Sequence, residues 1–172
     1  MKRDRLKHPQ RGSTLLEFGL VATFVLFPLI FGIVDFGEAL YAYHFVANAA
    51  REGTRYAIVR GSSCTGLSGG CPASSSDIQS YVQNLASGIG INSNSVTIDT
   101  TSSDVWPGTG PSGSCNTTEG NNSPGCIVQV KVVYPFNFAI PLLPTHACPL
   151  PTGGTTTANI CMSSTSEMVI SQ

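Results

Sequence analysis

The chain has 172 residues, which is room for one modest domain and a membrane anchor but not for two large domains. Charged residues make up only 11% of it, against about a quarter in an ordinary soluble domain. The formal net charge is −1, and beyond Gly12 four basic residues stand against nine acidic ones, which argues against a nucleic-acid partner.

A basic segment opens the chain and an apolar run follows it. Between residues 18 and 34 the sequence FGLVATFVLFPLIFGIV contains no charge, and about twenty helical residues span the hydrocarbon core of a bilayer. A secretory signal is excluded because its apolar core is shorter and a small-x-small cleavage site follows it closely. The basic residues predict a cytoplasmic N-terminus, with everything from about Asp35 onward outside. Five basic residues precede Gly12, opposed only by Asp4: Lys2, Arg3, Arg5, Lys7 and Arg11.

The same helix is expected to continue beyond the membrane. Residues 35–59 are rich in helix formers and contain no proline, so a helix from Thr14 to Val59 would be about 70 Å long. Pro28 should kink its membrane half, and Gly53 should weaken its outer half by about 1 kcal/mol relative to alanine. A narrow strip of small residues runs along the outer half: Ala47, Ala50, Thr54 and Ala57.

A second helix is predicted after a Gly/Ser/Cys loop at residues 61–73. Ser76 and Gln79 have the spacing of a capping box, and Gly88 supplies a stop. Apolar residues then recur with helical spacing at Ile78, Tyr81, Val82 and Leu85.

Three strands are predicted in the remainder, at residues 96–100, 127–134 and 167–171, with Pro135 ending regular pairing of the second. Residues 101–125 and 141–157 are expected to be loops, and Trp106 in the first is either an exposed partner contact or a cap on the core. The predicted fold is α+β: a long N-terminal transmembrane helix extends outward and packs against a small antiparallel sheet domain with disulfide-bracketed loops. Such a small core needs cross-links for stability.

The cysteines fit an oxidising outer compartment. Six cysteines permit fifteen pairings, and we favour pairing of nearest neighbours, because each pair brackets a turn-rich segment. Zinc is disfavoured since no C-x-x-C occurs and His146 is the only histidine nearby, so no metal or cofactor is predicted. The three neighbouring pairs are Cys64 with Cys71, Cys115 with Cys126, and Cys148 with Cys161.

Glu17 is the one ionisable residue in the first turns of the apolar run. It has a local explanation, because Thr14 and Glu17 also have the spacing of a capping box, and a carboxylate there favours the helix dipole by about 0.3–1 kcal/mol. It also has a functional explanation, which depends on Gly12 five residues earlier.

A short basic leader, Gly12, Glu17, an aromatic residue at Phe18 and an uninterrupted apolar helix together resemble the processing site of type IV pilin-like proteins of the Tad (tight adherence) system. Among these the chain looks most like the TadE-like pseudopilins, most strongly over residues 12–60, where the helix runs into AREGTRYA, and weakly at SSTSEMVISQ near the end. The resemblance implies cleavage by a membrane aspartyl prepilin peptidase between Gly12 and Ser13. It divides the chain into a leader (1–12), a transmembrane and extended amphipathic helix (13–60) and an extracytoplasmic α+β domain (61–172).

The resemblance also implies a non-enzymatic role in assembly. Glu17 would meet the new Ser13 amine of a neighbouring subunit and so select the axial register, since one unpaired partner of a buried pair costs roughly 3–5 kcal/mol. The implied partners are other pilin-like subunits, the Tad assembly machinery, the peptidase and the lipid bilayer, at the bacterial cytoplasmic membrane or in the extracellular pilus. An uncleaved single-pass protein with a partner- or ligand-binding outer domain remains the alternative. An enzyme is disfavoured because neither G-x-S-x-G nor H-E-x-x-H occurs.

Overall fold

The protein is described here by a computed structural model, which covers residues 11–68, 70–99, 106–107, 121–139, 143–151 and 153–171. The chain divides into two compact units, Met1–Glu38 and Ala39–Gln172. The predicted α+β architecture is confirmed: a long apolar N-terminal helix, a small antiparallel sheet and two disulfides are all present.

The N-terminal helix is continuous through three segments: α1 (Arg11–Val21), a π-helical turn (Ala22–Leu26) and α2 (Phe27–Ile58). The helix predicted over residues 14–59 is therefore confirmed. The capping-box interpretation of Thr14 is wrong, because α1 already begins at Arg11 and Thr14 is its fourth residue. Glu17 consequently lies within the helix and does not cap it.

The π turn lies immediately before Pro28, where the sequence predicted a kink. Within it the amide of Phe27 donates to the carbonyl of Ala22, five residues back. Proline has no amide hydrogen to offer the Phe24 carbonyl, and its ring crowds the preceding turn. A wider turn at this point is a local adjustment to both effects.

The second helix, α3, spans Ser75–Ser87 and has a capping box two residues earlier than predicted. The N-cap is Ser74: its hydroxyl accepts from the Asp77 amide at 3.2 Å, and the Asp77 carboxylate accepts from the Ser74 amide at 2.8 Å. Both Ser74 and Ser76 stand three residues before a side chain that can complete a capping box, Asp77 and Gln79 respectively. The helix uses Ser74, and Gln79 instead bonds the backbone of Val96 and Ile98. Gly88 is the C-cap, as predicted. Ile78 and Val82 are fully buried, as the periodicity required.

The main sheet is antiparallel with strand order β1-β2-β5, where β1 is Thr97–Asp99, β2 is Ile127–Phe136 and β5 is Ile160–Val169. The prediction that Pro135 ends pairing is wrong, because the β2–β5 register continues to Phe136 opposite Ile160. The backbone groups of the odd-numbered residues of β2 point away from β5. The Gln129 amide donates to the Trp106 carbonyl, and the Ile127 carbonyl accepts from the Trp106 amide. Pro135 lies beyond the end of β1 on that side, so its missing N–H removes no ladder hydrogen bond.

A second, two-stranded sheet lies within the region predicted to be a loop. It pairs β3 (His146–Pro149) with β4 (Thr155–Ala158). Three consecutive threonines favour the strand β4, and Gly153 with φ of +84° allows the turn between the strands. The last strand, β5, begins at Ile160, seven residues earlier than predicted.

The core lies between the outer part of α2, α3 and one face of the main sheet. Ala50, Thr54 and Ala57 of the small-residue strip are fully buried, and Ala47 lies half-buried at its flank. Trp106 is buried in this core with 6% of its surface exposed, so the core-cap interpretation is confirmed.

Two of the three predicted disulfides lie within the described residues and are present. Cys64–Cys71 and Cys148–Cys161 have Cα–Cα distances of 5.8 and 5.7 Å. The second joins β3 to β5 and so fastens the β3–β4 sheet to the main sheet. Cys126 is buried, and Cys115 lies outside the described residues together with most of the predicted 101–125 loop, so that pair stays a prediction.

Candidate processing and assembly site

The residues of the predicted processing and assembly site all lie on α1. Gly12, Ser13 and Glu17 follow one another along a single helix. Glu17 is four residues after Ser13, a rise of about 6 Å, so the two positions share one helix face. The helical backbone therefore brings the Ser13 position and Glu17 together within one chain.

Gly12 is open on all sides. It is exposed, and a Cβ built on it would meet no atom within 4 Å. Glycine in a helix is less favourable than alanine by up to about 1 kcal/mol, which favours local unwinding at Gly12. If Gly12 is the predicted cleavage position, the absence of a side chain would let a peptidase cleft approach its backbone closely.

Glu17 is exposed and belongs to a helix with few other charges. No ionisable residue follows it until Asp35, which is buried. The hydroxyl of Thr23, one of the few polar groups between them, donates to the Gly19 carbonyl at 2.8 Å and is thus satisfied within the helix. Glu17 is therefore the one side chain between residues 13 and 34 able to form an ion pair.

The surface around this site is apolar. The large hydrophobic side chains from Leu15 to Val34 are between 46% and 76% exposed. In the part of the chain that the structure describes, one helix is long and apolar enough to cross a membrane, residues Thr14–Ile58, with a mean hydropathy of 2.2 over its best window. So much exposed apolar area requires lipid or neighbouring apolar helices around it.

The larger unit, Ala39–Gln172, is called the outer unit after the predicted topology, and its described residues form no metal-binding cluster. No group of three or more His, Cys, Asp or Glu residues is found there that could hold a metal ion. Lys131 and Asp99 form an ion pair of 3.0 Å beside a cleft of about 280 Å³. The Asp77 carboxylate caps α3, and the hydrogen bonds from Ser74 hold its pKa below the ordinary value. These charged groups support the fold.

Two residues with roles in the fold were missed or misread from the sequence. Gln79 was assigned to a capping box but bonds the backbone of β1. Gly53 was treated as a weak point, yet it allows α2 to approach α3 and β2: a Cβ there would lie 3.0 Å from Val82 Cγ2 and 3.2 Å from Val130 Cγ1. A glycine inside a strip of small residues was the available signal for such a close approach.

Comparison with known proteins adds one finding. Residues 12–55 match the family model described as TadE-like protein. The chain has no match among the curated proteins or the solved structures. The match begins at the predicted processing site and ends within α2, which is the part of the chain where the resemblance was strongest. Together with the exposed apolar helix it supports a membrane-anchored protein associated with a Tad-type pilus. Over residues 12–55 this chain therefore matches the TadE-like family, which confirms the resemblance drawn from Gly12, Glu17 and the helix that follows.

Proposed function

We propose that this protein is a pilin-like minor subunit needed to assemble a Tad-type pilus used in adherence, matured by cleavage between Gly12 and Ser13. The observation that carries the proposal is a long, exposed apolar helix whose first turns contain Gly12 and Glu17 within the segment that matches the TadE-like family. A role of this kind is structural. The helix holds the subunit in the cytoplasmic membrane, and the outer unit is available to other subunits.

Cleavage would change the electrostatics of the helix end. It would remove the basic leader and place an α-amino group, cationic at neutral pH, on Ser13. The new amine would lie one helical turn before Glu17 of its own chain. In a free subunit at the membrane surface the two charges can pair locally or remain hydrated.

Assembly would change the partner of Glu17. When apolar helices pack side by side, lipid and water leave the site, and the loss of one partner of a buried pair costs roughly 3–5 kcal/mol. A neighbouring subunit in the correct axial register would bring its own Ser13 amine to Glu17. A wrong register would leave each subunit with at most the local pair within its own chain and without the bond to its neighbour, so the pair between subunits would favour one register.

The processing step is tested by determining the N-terminus of the membrane-extracted protein by mass spectrometry. We expect a chain that begins at Ser13, and we expect Gly12→Leu to retain the leader. Gly19→Leu is the matched control, because Gly19 is also an exposed glycine of α1 with no atom within 4 Å of a built Cβ, yet it lies away from the cut. An intact Met1 or Lys2 on the wild-type protein, in cells that make the pilus, would contradict the proposal.

The assembly step is tested with three substitutions of Glu17. Glu17→Ala and the uncharged isostere Glu17→Gln should be cleaved normally but enter sheared filaments or membrane assemblies poorly, whereas Glu17→Asp should retain part of the wild-type level. Leu16→Ala, at a neighbouring exposed position, controls for general damage to the helix. Normal assembly of Glu17→Gln would remove the register role while leaving the processing site intact.

A further inference from the structure

The two edges of the main sheet differ in how their backbone groups are satisfied. The β1 edge is covered by side chains: Gln79 Nε2 donates to the Val96 carbonyl at 2.7 Å, and its Oε1 accepts from the Ile98 amide at 2.7 Å. Gln83 Nε2 also donates to the Val96 carbonyl, at 3.3 Å, so two glutamine side chains take the place of a neighbouring strand along this edge. This edge is closed to a partner strand.

The β5 edge is open. The backbone N–H and C=O groups of the even-numbered residues of β5 point toward β2. This follows from Ile170, an even-numbered residue just after β5, whose amide donates to the Cys126 carbonyl and continues the β2–β5 pairing. Odd-numbered residues therefore face outward, and Ser171 at the end of this series donates to the Ile58 carbonyl of α2. Before Ser171 come four outward positions whose backbone groups form no hydrogen bond to any other segment in the described parts of the chain: Ser163, Thr165, Glu167 and Val169.

This edge lacks the usual protection against pairing. Proteins commonly guard an exposed edge with proline, a bulge or several charges. The strand from Ile160 to Val169 contains no proline, its register with β2 has no interruption, and its only charge is Glu167. The Glu167 carboxylate accepts a hydrogen bond from Gln129 of β2, so it is held along the sheet.

We infer that the outer edge of β5 is a docking site for an extended strand of a different, neighbouring subunit, with a basic side chain opposite Glu167. The basic side chain follows from charge complementarity, because Glu167 takes part in no ion pair within the described structure. A small β-branched residue would suit the position opposite Val169, which is 59% exposed. The identification of the partner as a subunit of the same assembly rests on the proposed function. The open edge of β5 is observed independently of that function.

A second copy of this chain fits the edge poorly. The β5 strand of another copy offers no basic side chain to lie opposite Glu167, because Glu167 is the only charged residue of Ile160–Val169. Pairing with β1 of another copy is blocked by Gln79.

Residue-level amide hydrogen exchange on the full chain tests the docking. The protein purified in detergent is compared with the same protein in assemblies isolated from producing cells. The outward amides of Ser163, Thr165 and Glu167 should exchange at least about tenfold more slowly in the assemblies, while those of Ser164 and Ser166 stay protected in both. Equal outward exchange in the two states would overturn the inference.

Two variants of Thr165 separate the backbone from the side chain. Thr165→Pro removes an outward N–H without removing a bond to β2, and it should lower recovery of the protein in assemblies about tenfold or more. Thr165→Val keeps the N–H and should assemble normally. Unchanged protection of Ser164 and Ser166 in the proline variant shows that the sheet is still formed. Normal assembly of a folded Thr165→Pro variant would overturn the inference.

Carbodiimide coupling in intact assemblies identifies the partner, because it joins Glu167 to a lysine in direct contact. We expect a coupled peptide from another protein, lost in Glu167→Gln. Coupling to Lys131 of a second copy would overturn the choice of partner. The N-terminus of the same sample reports cleavage after Gly12 separately, so failure of docking and failure of the proposed processing are distinguishable.

Discussion

Gly53 provides the sharpest test of how the outer part of α2 packs against α3 and β2. A Cβ at this position would lie 3.0 Å from Val82 Cγ2 and 3.2 Å from Val130 Cγ1. Val82 and Val130 are at most 1% exposed, and their β-branched side chains have few alternative rotamers. The neighbours can therefore give way only by moving α3 or β2.

Two opposing terms decide the size of the effect. Replacing glycine by alanine in a helix gains about 1 kcal/mol, whereas overpacking a core costs about 1–3 kcal/mol. We expect Gly53→Ala to lower the free energy of unfolding by about 1 kcal/mol after the two terms offset each other. Gly53→Val adds two further methyl groups and should lower it by about 3 kcal/mol. A loss of 3 kcal/mol corresponds to a fall in Tm of on the order of 10 °C.

The measurement is thermal unfolding of the purified protein in detergent, followed by near-ultraviolet circular dichroism. Gly37→Ala is the matched control, because Gly37 is an exposed glycine of the same helix with no atom within 4 Å of a built Cβ, so this change should be neutral or stabilising. In the double variant Gly53→Ala with Val82→Ala, the freed space should make the combined loss smaller than the sum of the single losses. A Gly53→Val variant that unfolds at the wild-type temperature would show that α2 is not closely packed against α3 and β2 at this position.

Three further predictions concern the outer unit. Gln79→Leu should lower the free energy of unfolding by about 1–3 kcal/mol, seen as a lower urea midpoint, because the Ile98 amide loses its acceptor and the Val96 carbonyl keeps only the 3.3 Å bond from Gln83; Gln79→Glu should restore the acceptor for Ile98 but not the donor to Val96, and a wild-type midpoint for Gln79→Leu would refute the edge assignment. Hydrogen bonds from Ser74 hold the pKa of Asp77 below its ordinary value, so the stability that these bonds contribute is present at pH values above the ordinary pKa and is lost as the pH falls through the lowered pKa. The urea midpoint of Asp77→Asn should lack this dependence on acid pH, and the same change of urea midpoint with pH in both proteins would contradict the prediction. Replacing Cys148 and Cys161 together by serine should lower the free energy of unfolding by up to about 3 kcal/mol, the value expected for closing a loop of this length, and an unchanged thermal midpoint would show that β3 needs no covalent link to β5.

Local signals were sufficient for the N-terminal half of the chain. The apolar run and the absence of proline between residues 35 and 59 predicted a single long helix, and the structure has one to Ile58. Gly12 and Glu17 are five positions apart on that helix, so their relation follows from sequence spacing alone. The capping role of Thr14 was misjudged because a capping box depends on where the helix begins, and the helix begins upstream.

The sheet was only partly predictable. Alternating valines identified the centre of β2, and their burial confirmed it. The continuation of β2 through Pro135 was missed, since a proline is tolerated or not according to which edge of the strand it faces. The full length of β5, which pairs with β2 along ten residues, was missed as well. The β3–β4 sheet was read as a loop because four-residue strands carry little periodic signal and one disulfide holds this sheet to β5.

The linear order of residues determined the long apolar helix and was enough to predict the compartment and the processing site, because hydropathy, charge bias and the spacing of Gly12 and Glu17 act within a few helical turns. The roles of Gly53, Gln79 and the outward face of β5 were decided by the tertiary structure alone. Each depends on groups that approach from distant parts of the chain: Val130 reaches Gly53, Ile98 reaches Gln79, and β2 covers only one side of β5. Steric fit and backbone hydrogen bonding are properties of neighbours in space, and a single strand or helix does not carry them in its own sequence.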